Sequence, residues 1–311
     1  MKYGHFEALG PICPRCALES DTEVPLRIAV VEEEVEGELL QGMLTCTSPT
    51  CGREYPVLDG IPILVPDLEE FVQNNFQALI LRQDLSPTVE GILGDCAGPN
   101  AAWDYQRQFQ SSYTFGHYGD LDPDQAAHEA IGSVVRLQAR GLDLARSWSA
   151  GPGLDLGCAV GRTTFALAAR VDGPVVGLDL NIPMLRVAHQ ALRHGRVDYS
   201  LRRMGLVYDR RSFAVDLPHR DRVDFWAANV MALPFRKRTF ALTTSLNVLD
   251  CVPAPHGHLA QLGRVLQRGP PRSSPCPTTG TAPPRPWVPG SGGTPSAGET
   301  QAEAKRCCES S

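Results

Sequence analysis

Leu154-Asp155-Leu156-Gly157-Cys158-Ala159-Val160-Gly161-Arg162 decides the fold when read with Pro174-Val175-Val176-Gly177-Leu178-Asp179-Leu180-Asn181 further along. A short apolar run ends in a Gly-rich turn, a helix is expected to follow, and a second apolar run closes on a carboxylate. This is the order of a nucleotide-binding βαβ unit, whose second strand presents an acid able to hold two ribose hydroxyls. Gly157 and Gly161 let the backbone turn tightly and approach a ligand that a Cβ would exclude. Ala159 is the next smallest choice. A dinucleotide fingerprint would read G-x-G-x-x-G around a pyrophosphate at a helix N-terminus, whereas this chain reads D-x-G-x-A-x-G.

That pattern resembles motif I of the class I S-adenosylmethionine-dependent methyltransferases. The resemblance implies that Asp155 lies near the methionine part of the cofactor, that Gly157, Ala159 and Gly161 line its amino-acid end, and that Asp179 binds its ribose. Asp224-Phe225-Trp226-Ala227-Ala228-Asn229-Val230-Met231-Ala232-Leu233-Pro234-Phe235 is similar to the third strand of that family and the segment after it, whose acid and following amide hold the adenine. Here Asn229 stands where the family has the acid, with Val230 next. An amide oxygen still accepts from an adenine amino group. Phe240 to Val252 resembles the fourth strand and the turn that the transferred methyl group faces, which makes Asn247 the candidate for orienting the acceptor. Leu259, Leu262, Val265 and Leu266 recur at helical spacing after it. The Gly-rich turn alone could equally be an ordinary strand-to-helix turn; four elements in the family's order carry the reading.

Cys13-Pro14-Arg15-Cys16 is a C-x-x-C pair, and Cys46 and Cys51 form a second, looser pair. The apolar runs Leu26 to Val31 and Glu38 to Leu44 read as a hairpin turning near Gly37. Two cysteine pairs joined by a hairpin supply the closed thiolate tetrahedron of a structural zinc site. A disulfide or free thiols are the alternative, disfavoured in a reducing compartment. The following Arg53 to Leu64 resembles the end of the small zinc-ribbon proteins that activate tRNA and protein methyltransferases, which brings in a protein partner through the ribbon as a further expectation. Cys158 and Cys251 read as small buried residues.

These elements predict an α/β chain: a β-rich zinc ribbon over 1–66, a helical linker and lid over 67–122, a Rossmann-like S-adenosylmethionine-binding domain over 123–268, and a Pro/Gly/Ser-rich tail over 269–311 expected to be disordered. Leu68, Phe71, Val72, Phe76, Leu79 and Ile80 predict a helix between 67 and 84. Ser111 to Asp122 reads as an aromatic loop with Tyr113, His117 and Tyr118 as candidate lid residues, followed by a helix from about 123 to 148. The family would continue after Gly269 with further strands; their replacement by a Pro-rich stretch predicts a sheet truncated after its fourth strand and helix. A shifted reading frame or a wrongly assigned gene end would explain it.

The composition, 42% hydrophobic over 311 residues, is that of a globular protein, and no apolar run is long enough to span a membrane. The first residues are not followed by a secretory apolar core, so a cytoplasmic protein is expected. A net charge of −6 gives no general attraction to nucleic acid or anionic lipid. The exception is the stretch holding Arg193, Arg196, Arg202, Arg203, Arg210, Arg211, Arg220 and Arg222, either a solvated insertion or a surface for an acidic substrate. The expectation is therefore methyl transfer to a small molecule, with an RNA acceptor second. A non-catalytic scaffold with a relic methyltransferase domain is the rival of a different class.

Overall fold

A computed structural model describes residues 1–80, 85–125, 131–145 and 148–267. The tail expected from 269 lies outside the described residues. The chain opens with α1 (Tyr3–Leu9) and α2 (Pro14–Ser20), followed by the strands β1 (Leu26–Val35), β2 (Glu38–Cys46), β3 (Glu54–Leu58) and β4 (Ile61–Leu64). Glu36 and Gly37 both have positive φ, the two-residue turn that suits the twist of a hairpin, so β1 and β2 turn where the sequence placed them. Four helices come next: α3 (Leu68–Ile80), α4 (Pro87–Ala97), α5 (Ala102–Tyr118) and α6 (Ser133–Ala145). The second half of the described chain runs β5 (Gly153–Leu156), α7 (Arg162–Ala168), β6 (Val175–Asp179), α8 (Ile182–His194), a hairpin of β7 (Arg196–Met204) and β8 (Val207–Ala214), then β9 (Val223–Ala228), β10 (Leu242–Ser245) and α9 (Pro255–Val265).

Eight strands form one sheet in the order β1-β2-β3-β4-β9-β6-β5-β10. The four on the β10 side are parallel, and in chain order they read third, second, first, fourth, the arrangement of a Rossmann-like methyltransferase sheet. On the other side of β9 the sheet does not stop. β4 pairs antiparallel with β3 and parallel with β9, with Ile63 opposite Ala227 and Leu64 opposite Ala228. Residue 66 is therefore not a break between two sheets; the cysteine-bearing strands and the nucleotide-binding strands are continuous. The sequence of β4 explains this, because all four of its residues are apolar and buried, the pattern of a strand covered on both faces.

Alternation along the strands divides the core in two. Ile63 and Phe225 point to the face covered by α3, α5, α7 and α8, where Leu79, Tyr118, Phe165 and Leu185 meet them. Leu64 and Trp226 point to the opposite face, where Phe6, Leu9, Phe235, Phe240 and Val265 pack. Trp226 stacks on Phe235 at 5.6 Å between ring centroids.

Three expectations need correction. Ser111 to Tyr118 is not a loop but the last turns of α5. Its buried positions, Asp104, Arg107, Ser111, Thr114, His117 and Tyr118, do fall at helical spacing, but most are polar, so a search for apolar periodicity passes over them. Second, Cys251 is exposed, while Cys158 is buried as expected. Third, the helix expected from about 123 is α6, which among the described residues begins only at Ser133; after α9, Leu266 makes an isolated parallel bridge with Phe240, and Gln267 N donates to Phe240 O at 2.8 Å. The arginine-rich insertion is the β7–β8 hairpin, packed on α5 and α8. There Arg203 pairs with Asp209, Arg210 with Glu90, and Arg211 with Asp122.

Candidate functional site

The Gly-rich turn leaves β5 with three successive left-handed positions: Gly157 at φ +70°, Ala159 at +48° and Gly161 at +86°. A Cβ at Gly161 would stand 2.6 Å from the ring of Phe225 and 2.7 Å from Ala188, so only glycine lets α7 pack this close to β9 and α8. The amides of Gly157 and Cys158 both donate to Leu178 O, at 2.8 and 3.0 Å, which ties the turn to β6. Ala159 tolerates a conformation that costs most residues about 1 kcal/mol. Its amide donates to Asp179 Oδ2 at 2.9 Å.

Asp179 thus stands at the carboxyl end of β6 with one oxygen on the turn and the other accepting from Asn181 N at 2.9 Å. Burial pushes its pKa up, and the amides of Asn181, Ala159 and Leu180 pull it back. Asn181 in turn caps α8, accepting from Met184 N at 3.2 Å. Above the turn lies α5. Tyr118 is fully buried and donates its hydroxyl to Val160 O at 2.9 Å. Burial raises the Tyr113 pKa, and the carboxylates of Asp179 and Asp250 raise it further. His117 is buried beside Arg162, and burial lowers its pKa to about 4, so it is neutral at physiological pH. The three candidate lid residues therefore have different places: Tyr118 pins the turn, Tyr113 is exposed with its ring 6.4 Å from that of His117, and His117 is sealed in.

Asp155 is buried under three hydroxyls. Thr163 and Thr164 donate to its Oδ2 at 2.7 and 2.8 Å, and Thr244 to its Oδ1 at 2.7 Å. Burial raises its pKa and the three donors oppose the rise. It joins β5 to α7 and β10 and so sets the shape of the turn. Sequence reasoning missed the three threonines and Gln138 on α6, whose Nε2 donates to Thr244 Oγ1 at 3.3 Å. Only the Thr163-Thr164 pair, immediately after the motif, offered a signal.

Asn229 follows β9, next to β6, and its Oδ1 accepts from Met231 N at 2.8 Å, so the oxygen read as an adenine acceptor already closes a local turn. Val230 beside it is half-buried. Asn247 is exposed just after β10, in left-handed backbone at φ +55°. Ser245, at the end of that strand, pairs with the buried His258 at 2.9 Å. Asp155, Gly157, Ala159, Gly161 and Asp179 are thus gathered at one turn, while Asn229, Val230 and Asn247 stand at the carboxyl ends of the strands flanking it. That crevice is where open parallel sheets bind ligands. Two features fit a cationic nucleoside cofactor: the clamped carboxylate of Asp179, and the buried Oε1 of Gln138, which has no hydrogen-bond partner among the described residues.

The second cluster lies at the other end of the sheet. The sulfurs of Cys13, Cys16, Cys46 and Cys51 are all within 4.8 Å of one another, with Cys13 and Cys51 at 3.9 Å and Cys16 and Cys46 at 3.7 Å. A tetrahedron with Zn–S bonds of about 2.3 Å sets its sulfurs about 3.8 Å apart, whereas a disulfide needs about 2.05 Å. Burial pushes the Cys46 thiol up to about 11. The cysteine turns are held by the backbone, Cys13 N on Val24 O and Cys46 N on Arg53 O, both at 2.8 Å. Ile12 N donates to Pro234 O at 2.9 Å, linking the first turn to the segment that follows Asn229.

Known proteins resemble the part of the chain from β5 onward. Residues 154–270 match the family described as a methyltransferase domain. The demethylmenaquinone methyltransferase of Lactiplantibacillus plantarum is 33% identical over 118 residues, which are 37% of this chain and 40% of that protein. The chain thus spans less than half the length of that curated relative. Among solved structures, a phosphoethanolamine N-methyltransferase of Haemonchus contortus in complex with S-adenosyl-L-methionine aligns with a TM-score of 0.35 at 14% identity, over 52% of this chain and 33% of that one. The YcgJ protein of Bacillus subtilis aligns with a TM-score of 0.32 at 19% identity, over 43% and 47%. The fold is that of a Rossmann-like class I methyltransferase, preceded by a small β-rich region carrying four clustered cysteines.

Proposed function

We propose that this protein binds S-adenosyl-L-methionine at the Asp155 to Asp179 turn and transfers its methyl group to a small-molecule acceptor. The observation that carries the reading is Asp179, held by Ala159 N and Asn181 N at the end of β6 with lone pairs left for two ribose hydroxyls. Gly157, Ala159 and Gly161 shape the floor, with Asp155 fixing their path from below. Asn229 and Val230 flank the adenine, and Asn247 orients the acceptor at the mouth. The cofactor supplies an electrophilic methyl group on a sulfonium. The chain's own part is to hold the acceptor in line and exclude water, the usual division of labour when the cofactor carries the reactive group.

A small acceptor agrees with the name of the Lactiplantibacillus relative, which specifies demethylmenaquinone. The hairpin arginines Arg203, Arg210 and Arg211 are engaged by carboxylates, which weakens the case for RNA at that surface. In the second cluster Cys13, Cys16, Cys46 and Cys51 hold a structural zinc ion, with no position open for chemistry. In the segment that resembles the end of the small zinc ribbons, β4 pairs with β9 of the same chain. The scaffold reading draws on Asn229, whose oxygen is taken up by Met231 N.

Calorimetry with S-adenosyl-L-methionine separates the two. Saturable binding at about one cofactor per chain, followed by transfer of labelled methyl to a quinone-type or other small acceptor, is the expected outcome. A folded protein that binds no cofactor would establish the scaffold instead.

A further inference from the structure

Gln138 stands on α6, outside the segment matched by the methyltransferase family, and is 2% exposed. Its Nε2 donates to Thr244 Oγ1, and Thr244 donates to Asp155 Oδ1. A threonine hydroxyl has a single proton. With that proton on the carboxylate, Thr244 can only accept from the amide, so Nε2 must face Thr244. Oε1 is then left buried with no partner among the described residues. Buried acceptors are rarely left so, because an unmade hydrogen bond costs the full desolvation of the group.

The charge around this oxygen is one-sided. Asp155 is buried and Asp179 partly buried on neighbouring strands; burial raises the pKa of Asp155, and the charge of Asp179 adds to the rise. Among the described residues, no lysine or arginine forms an ion pair with either. Thr244 and Asp155 are directly opposite in the β10–β5 register, one residue short of the strand ends, and so border the crevice beyond them. A spare acceptor beside unbalanced negative charge calls for a cationic donor.

We infer that Gln138 Oε1 accepts a hydrogen bond from the primary ammonium at the amino-acid end of the cofactor, which makes Gln138 a positioning residue that selects ligands carrying that ammonium. The inference rests on the cofactor reading above. It assigns the recognition of the amino-acid end in part to a helix that the Gly-rich motif does not contain.

The test is calorimetry on the full chain with two probes: S-adenosylhomocysteine, and 5′-methylthioadenosine, which has the adenosine but no amino-acid end. Gln138→Met removes the acceptor at nearly constant shape. It should weaken S-adenosylhomocysteine binding by about 10- to 100-fold and leave methylthioadenosine affinity unchanged. Equal losses for both probes, or no loss for either, would overturn the assignment while leaving the cofactor site in place. A wild-type chain that binds neither probe would overturn both. If Gln138→Met fails to melt cooperatively, Gln138→Asn, which keeps the amide but withdraws it by one methylene, should give the same split between probes.

Discussion

Asp179 closes the Gly-rich turn and, in the proposed function, also presents acceptors to a ribose; the two roles can be separated by measurement. Asp179→Ala should weaken S-adenosyl-L-methionine binding by roughly 1.5–3 kcal/mol and leave the zinc content unchanged; calorimetry beside metal analysis reads both, and unchanged affinity in a folded variant would mean that Asp179 does not face the ribose. Its titration supplies a second test. Burial raises the Asp179 pKa, and only the ionised form accepts from both hydroxyls. Cofactor affinity should therefore fall as pH is lowered from neutral toward the raised pKa, and Asp179→Asn should flatten that dependence; a wild-type affinity independent of pH down to about pH 4 would contradict the assignment. Asp155, Gly157, Gly161 and Asp179 could be read from the sequence because a tight turn and a terminal acid impose residue types in a fixed order. Thr244 and Gln138 could not. A hydroxyl or an amide becomes part of the site only when the fold brings it to Asp155, and nothing local distinguishes Gln138 from a surface glutamine.

Among the elements, the cysteine cluster gives the plainest expectation. Protein purified under reducing conditions should carry about one zinc per chain, and Cys13→Ser should lose most of it, because three thiolates no longer close the tetrahedron. Elemental analysis decides, and a variant that retains all its zinc would exclude Cys13 as a ligand. Zinc uptake should release protons, since burial holds the Cys46 thiol protonated at neutral pH. The hairpin that brings the cysteines together was legible from its apolar runs and Gly37. By contrast α5 was not, because its buried face carries Asp104, Arg107, Ser111, Thr114 and His117, which make it look like a polar loop. Helix α4 was also unforeseen, although Ser86 caps it by accepting from Val89 N at 3.3 Å.

Across the whole molecule, two buried histidines set the acid limit of stability. Burial lowers His117 to about 4 and His189 to about 3. Below the ordinary histidine range the unfolded chain binds protons that the folded chain does not, so stability should decline as pH falls below about 6.5, by about 1.4 kcal/mol per pH unit for each histidine, until the folded-state pKa is reached. Urea unfolding at a series of pH values tests this. His117→Gln should reduce the slope, and an unaltered slope would show that His117 is not sealed in. The parallel sheet order was predictable from the motif order, but the junction of β4 with β9 was not, since the apolar stretch Ile61 to Leu64 suits the end of a separate ribbon equally well. That junction has a kinetic consequence. As the chain leaves the ribosome, Ile63 emerges long before Ala227, so the ribbon must wait with an apolar strand edge unpaired while the intervening helices and hairpin are made. Such long-range parallel pairing is slow to form and open to misassociation. Synthesis, rather than the finished fold, is then the stage at which the edge of β4 is most open to wrong pairing.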